Sequence, residues 1–197
     1  MRSVYNYIVT PVGDRYNNSK KIGDKELILN TEILNHQYVN REAEILKVPA
    51  VNLLGLTKGD SLVLHHSVFR RWHNIRGDEK NSRGFLSNNE YLVAPDQIFL
   101  KKQLGGEWEC IKGYCFVQPI KTIDELSVDL ERPLMGIVKY SDGTVSKGDV
   151  VGFKPNSEFE FVVDGQRMYR VLSNFITIKY EYQGDEEEYN PGWAQSG

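Results

Sequence analysis

Four groups of side chains in this 197-residue chain are of types that could do chemistry, and their spacing decides which of them can. His65 and His66 are adjacent. Neighbours on a strand point to opposite faces, so the pair is not expected to share a metal ion, and His36 and His73 stand elsewhere in the chain. Cys110 and Cys115 lack both the spacing and the second pair of a zinc knuckle; they read as buried or rim thiols, and no metal site is expected. The segment from Arg70-Arg71-Trp72-His73 to Arg83-Gly84 mixes basic residues with an aromatic, the composition of a nucleic-acid contact. Asp78 and Glu79 interrupt it, and it reads as an enlarged, solvated hairpin. The fourth group is Leu27-Ile28-Leu29, an aliphatic triplet at the end of a polar stretch that begins at Asn17. Its chemistry is apolar burial, either in the chain's own core or in a groove on a partner. No nucleophile elbow or phosphate-binding glycine loop occurs, so catalysis is not expected of this chain.

The elements that must position these groups are strands. Hydrophobic residues make up 40% and charged residues 26% of the chain, which excludes a disordered or collagenous protein. The net charge of -3 gives no basic excess for nucleic acid. No run approaches the ~20 apolar residues of a membrane helix, and Met1-Arg2-Ser3-Val4-Tyr5 has no signal-peptide core; a cytoplasmic protein is expected. Short apolar or alternating runs recur between turn residues, as in Tyr7-Ile8-Val9, Ser61-Leu62-Val63-Leu64, Tyr114-Cys115-Phe116-Val117 and Phe159-Glu160-Phe161-Val162-Val163. Few windows keep a helical period, and none does so between proper caps.

Three sets of anchors occur twice, in the same order. Ile8-Val9-Thr10-Pro11-Val12 matches Phe116-Val117-Gln118-Pro119-Ile120; Lys58-Gly59-Asp60 matches Lys147-Gly148-Asp149; and Tyr91-Leu92-Val93 followed by Asp96-Gln97-Ile98 matches Tyr169-Arg170-Val171 followed by Asn174-Phe175-Ile176. The proline ends ladder pairing because it has no N–H, and Lys-Gly-Asp is a turn that feeds an apolar strand. The offset between copies falls from 108 at Pro11 and Pro119 to 89 at Gly59 and Gly148, then to 78 at Tyr91 and Tyr169. The first copy therefore carries 19 extra residues before the Lys-Gly-Asp turn and 11 more after it. These offsets predict units at 1–104 and 107–183, with 184–197 an exposed, mobile acidic tail.

The order of these anchors resembles the GroES-type co-chaperonins, the ring-forming partners of chaperonins. The resemblance spans nearly the whole chain and rests on order and spacing, since each motif is short. It implies an all-β chain of two tandem GroES-like small β-barrels. It also implies a homo-oligomeric ring that caps the apical domains of an ATP-dependent GroEL-type chaperonin and assists folding, with no cofactor. The family's mobile partner loop falls on the first copy's surplus, so the resemblance makes Leu27, Ile28 and Leu29 the partner-binding residues and the Trp72 hairpin the roof of the ring. The second copy lacks that loop. Departures from the pattern, such as Lys25-Glu26 where the family has Gly-Gly, read as a divergent, virally encoded member. Two other classes remain: a structural assembly protein of a virion or scaffold that reuses the duplicated barrel, and the barrel domain of a medium-chain dehydrogenase. The last lacks the dinucleotide-binding glycine motif that should follow.

Overall fold

The computed structural model describes residues 2–16, 19–22, 25–28, 38–124 and 130–196, with the backbone alone at 19–22, 25–28, 195 and 196. The chain divides into two compact units, Met1–Trp108 and Glu109–Gly197. Both are all-β, built from antiparallel sheets.

In the first unit the strands are β1 (Tyr7–Pro11), β2 (Ser19–Ile22), β3 (Lys25–Ile28), β4 (Glu42–Lys47), β5 (Ser61–Leu64), β6 (Trp72–His73), β7 (Glu79–Lys80), β8 (Phe85–Ser87), β9 (Glu90–Val93) and β10 (Ile98–Lys102), followed by β11 (Trp108–Cys110). The second unit has β12 (Tyr114–Lys121), β13 (Glu131–Ser141), β14 (Val150–Phe153), β15 (Phe159–Val163), β16 (Gln166–Leu172) and β17 (Ile176–Tyr180). The large sheet of the first unit runs β11-β10-β5-β4-β1-β9-β8, and that of the second runs β17-β14-β13-β12-β16-β15. Apart from β11, the two orders are the same, strand for strand.

The correspondence extends to single residues. Val9 lies between Ile45 and Tyr91, and Val117 lies between Val138 and Tyr169. Each central strand shifts register one residue earlier, between Ile8 and Val9 and between Phe116 and Val117. Such a bulge changes which face the following side chains meet, so a shared position means a shared assignment of side chains to the two faces. The core of the second unit contains Cys115, Val117, Val138, Val151, Phe153 and Val171. Their counterparts by register are Tyr7, Val9, Ile45, Leu62, Leu64 and Val93, all buried. At the Lys-Gly-Asp turns, Gly59 and Gly148 both have φ of 90°, where a side chain would be strained. Their N–H groups donate to the carbonyls of Ile45 (2.9 Å) and Val138 (2.8 Å). The aspartates close the turns: the Asp60 carboxylate accepts from the Thr57 N–H at 2.8 Å, and that of Asp149 from the Ser146 N–H at 2.9 Å.

The surplus of the first copy forms two hairpins, each a separate two-stranded sheet. β2 and β3 lie in the connection from β1 to β4, and β6 and β7 in the connection from β5 to β8. In the second copy residues 122–130 and 154–158 span the same gaps.

The antiparallel sheets agree with the expected all-β class, and among the described residues the pairing in each large sheet runs from one edge strand to the other. Two expectations are corrected. The adjacent histidines do not point apart: β5 ends at Leu64, and in the turn beyond it the rings of His65 and His66 lie 4.2 Å apart. The acidic C-terminal segment is docked on the second unit. Asp185 pairs with Arg132 (3.0 Å) and Glu188 with Lys139 (2.7 Å). The Tyr189 N–H donates to the Pro119 carbonyl, and Asn190 bonds the backbone of Gly165 and Arg167. The second unit thus extends past 183 because its basic strand residues offset the charge of the segment.

Gly136 pairs with Pro119, as Ala43 pairs with Pro11. A Cβ on Gly136 would lie 2.8 Å from the Gln118 carbonyl oxygen and 3.0 Å from Val117 Cβ. Gly136→Ala should therefore lower the unfolding free energy by roughly 1–3 kcal/mol, the usual cost of overpacking, when measured by urea denaturation.

Candidate functional site

The two features that distinguish the first copy from the second meet at their bases. The connection that holds β2 and β3 leaves the sheet through Tyr16 and returns through Val39, which form an isolated antiparallel bridge. Both are buried. Asn40 follows, 5% exposed. Its side-chain amide donates to the carbonyls of Val12 (2.7 Å) and Asp14 (2.8 Å), and its Oδ1 accepts from the Glu42 N–H at 2.8 Å. One amide thus fixes both legs of the connection.

Two arginines join this neck to the base of the β6–β7 hairpin. Arg15 donates from Nη2 to the Phe69 carbonyl (2.8 Å) and from Nη1 to Asn81 Oδ1 (2.8 Å). Its guanidinium also lies over the Tyr91 ring, 5.3 Å from the centroid. The Arg71 guanidinium lies 4.7 Å from the Tyr16 centroid and pairs with Glu79, while the Arg71 N–H donates to the Tyr16 hydroxyl at 2.7 Å. Burial lowers the pKa of Arg15 and raises that of Tyr91. Each shift is opposed by the other group's charge, which ties the neck to the repeated tyrosine.

The second copy holds its equivalent tyrosine differently. Arg167 reaches the Tyr169 hydroxyl at 2.6 Å, pairs with Glu160 at 2.7 Å and also pairs with Glu131, which accepts from Tyr169 as well. Burial disfavours the charged form of Arg167, but the carboxylate hydrogen bonds outweigh it and its pKa rises. The tyrosine, the centre of the repeat, is thus braced by an insertion in one copy and by a strand in the other.

Of the aliphatic triplet, Leu27 and Ile28 lie in β3, opposite Lys20 and Ser19 of β2. Their side chains and all of Leu29 fall outside the described residues, as does His36. Trp72 is in β6 and half exposed. The thiols of Cys110 and Cys115 are free; burial raises both pKa values, that of Cys115 to about 12, which keeps them protonated. No group of three metal-ligating side chains converges among the described residues, and no described helix is long and apolar enough to cross a membrane. The arginine and Asn40 bracing was not anticipated: polar residues in irregular segments have no period to mark them.

The edges of the sheets also differ between copies. In the first, β10 is covered by β11; its counterpart β17 has no strand beyond it among the described residues. Ile178 (50% exposed) and Tyr182 (70%) stand on or just past that edge. Neither a family model nor a curated protein matches this chain.

Asn40→Ala removes the three hydrogen bonds that a buried side-chain amide makes to the two legs of the connection. Denaturation should show a loss of roughly 2–3 kcal/mol, with the fold of the second unit retained.

Proposed function

We propose that the chain is a tandem co-chaperonin. In this reading it assembles into a ring and caps an ATP-dependent chaperonin, which performs the hydrolysis while this chain supplies lid and loops. The observation that supports it most is the placement of the larger insertion. In a twofold-repeated sheet the longest connection lies between the first and second core strands of one copy, and that connection holds an aliphatic triplet beside a polar stretch. The braced neck of Tyr16, Val39 and Asn40 suits a segment that grips a partner, because it transmits load to the sheet without opening the core.

Magnitudes favour many weak contacts. Burying three aliphatic side chains is worth at most about 4–9 kcal/mol, while ordering the chain costs about 1–2 kcal/mol per residue. One loop alone therefore binds weakly. Several presented by a ring bind by avidity and still release when the partner changes shape. The uncovered β17 edge supports ring formation, because an exposed apolar edge is a template for another strand. That edge equally suits a structural assembly protein, and the following experiment separates the two.

The combined Leu27→Ser, Ile28→Ser and Leu29→Ser variant should fold and assemble as the parent does, yet lose nucleotide-dependent co-sedimentation with a GroEL-type chaperonin. A variant that unfolds would place the triplet in the core. Assembly of the parent with no chaperonin capture at all would favour the structural role.

A further inference from the structure

The first unit holds an open pocket of about 650 Å³, within the usual size range for small ligands. Its wall includes Arg70, Arg83, Trp72, Asn6, Ser82 and Gln97, and no carboxylate. Two cations thus face one cavity with no carboxylate among its described lining residues.

Arg70 carries the argument. Its Nε is buried and has no hydrogen-bond partner among the described residues. Arg71, Arg132 and Arg170 also bury an unpartnered Nε, but each uses the rest of its guanidinium. Arg71 pairs with Glu79, Arg132 with Asp185, and Arg170 lies over the rings of Tyr114 and Phe159. Arg70 makes no such contact among the described residues. Both Arg70 and Arg83 line the pocket, and the guanidinium fork fits a phosphate. Trp72 is 45% exposed, and its indole N–H is already used on the Asn81 carbonyl (3.2 Å). What it offers the pocket is an aromatic face.

We propose that this pocket binds a nucleoside phosphate, with Arg70 and Arg83 on the phosphates and the base against Trp72. A polynucleotide fits less well: the site is a pocket, and the chain's net charge of -3 repels an extended polyanion.

Calorimetric titration of the full chain with ADP, pyrophosphate and adenosine tests this. ADP should bind most tightly, and its affinity should fall with salt. Arg83 is exposed, so R83Q should preserve the fold and weaken ADP about tenfold or more, the worth of one charge-assisted hydrogen bond. R70Q should do at least as much, and W72L should weaken ADP while leaving pyrophosphate unchanged. If R70Q does not fold, R83Q and W72L decide. Absence of ADP binding at millimolar concentration, or affinity unchanged in R83Q, overturns the proposal. Pyrophosphate binding as tightly as ADP overturns the role of Trp72 and the nucleoside with it. A single-stranded oligonucleotide binding more tightly than ADP would instead make the site part of a nucleic-acid surface.

Discussion

The register of one central strand governs each half of this protein. Val9 is fixed between Ile45 and Tyr91, Val117 between Val138 and Tyr169, and each follows a bulge at the same place. Both faces of β1 and β12 are largely buried, so a slip of one residue would exchange the side chains packed on the two faces. The bulge and the Lys-Gly-Asp turn prevent that slip. The turn's glycine N–H is tied to the carbonyl of Ile45 or Val138, the residue opposite the central valine, so turn and register are locked together. Because the lock is local, it survives in both copies although few other residues match.

A platform held in this way tolerates additions at its connections. Surface loops can lengthen at small entropic cost, provided their ends remain where the sheet puts them. In the first copy Asn40 and the Tyr16–Val39 bridge meet that condition, and Arg15 and Arg71 extend the bracing to the second hairpin. The second copy, with short connections, braces Tyr169 through Arg167 and two glutamates. One half is thus elaborated, and the other is sealed by its own C-terminal segment. In the proposed lid, the first would meet the partner and the second would complete the ring.

The strands and the duplication were legible because each rests on local chemistry: alternating apolar residues, a proline that stops a ladder, a glycine that only one turn accepts. The two changes of offset located both insertions for the same reason. What was missed depends on pairs far apart in sequence. The run Asp185-Glu186-Glu187-Glu188 reads as solvated until Lys121, Arg132 and Lys139 are known to share its surface. His65 and His66 were placed on a strand that ends one residue before them. Arg70, Arg71 and Trp72 read as one basic run, and only the fold shows that Arg71 pairs with Glu79 while Arg70 lines a pocket.

Hydrogen exchange measured with and without a GroEL-type chaperonin and ATP tests the central claim most directly. The account predicts new amide protection concentrated at residues 17–37, beyond the Tyr16–Val39 neck, with the two large sheets unchanged. Protection confined to other segments, or no nucleotide-dependent protection anywhere in the chain, would contradict it.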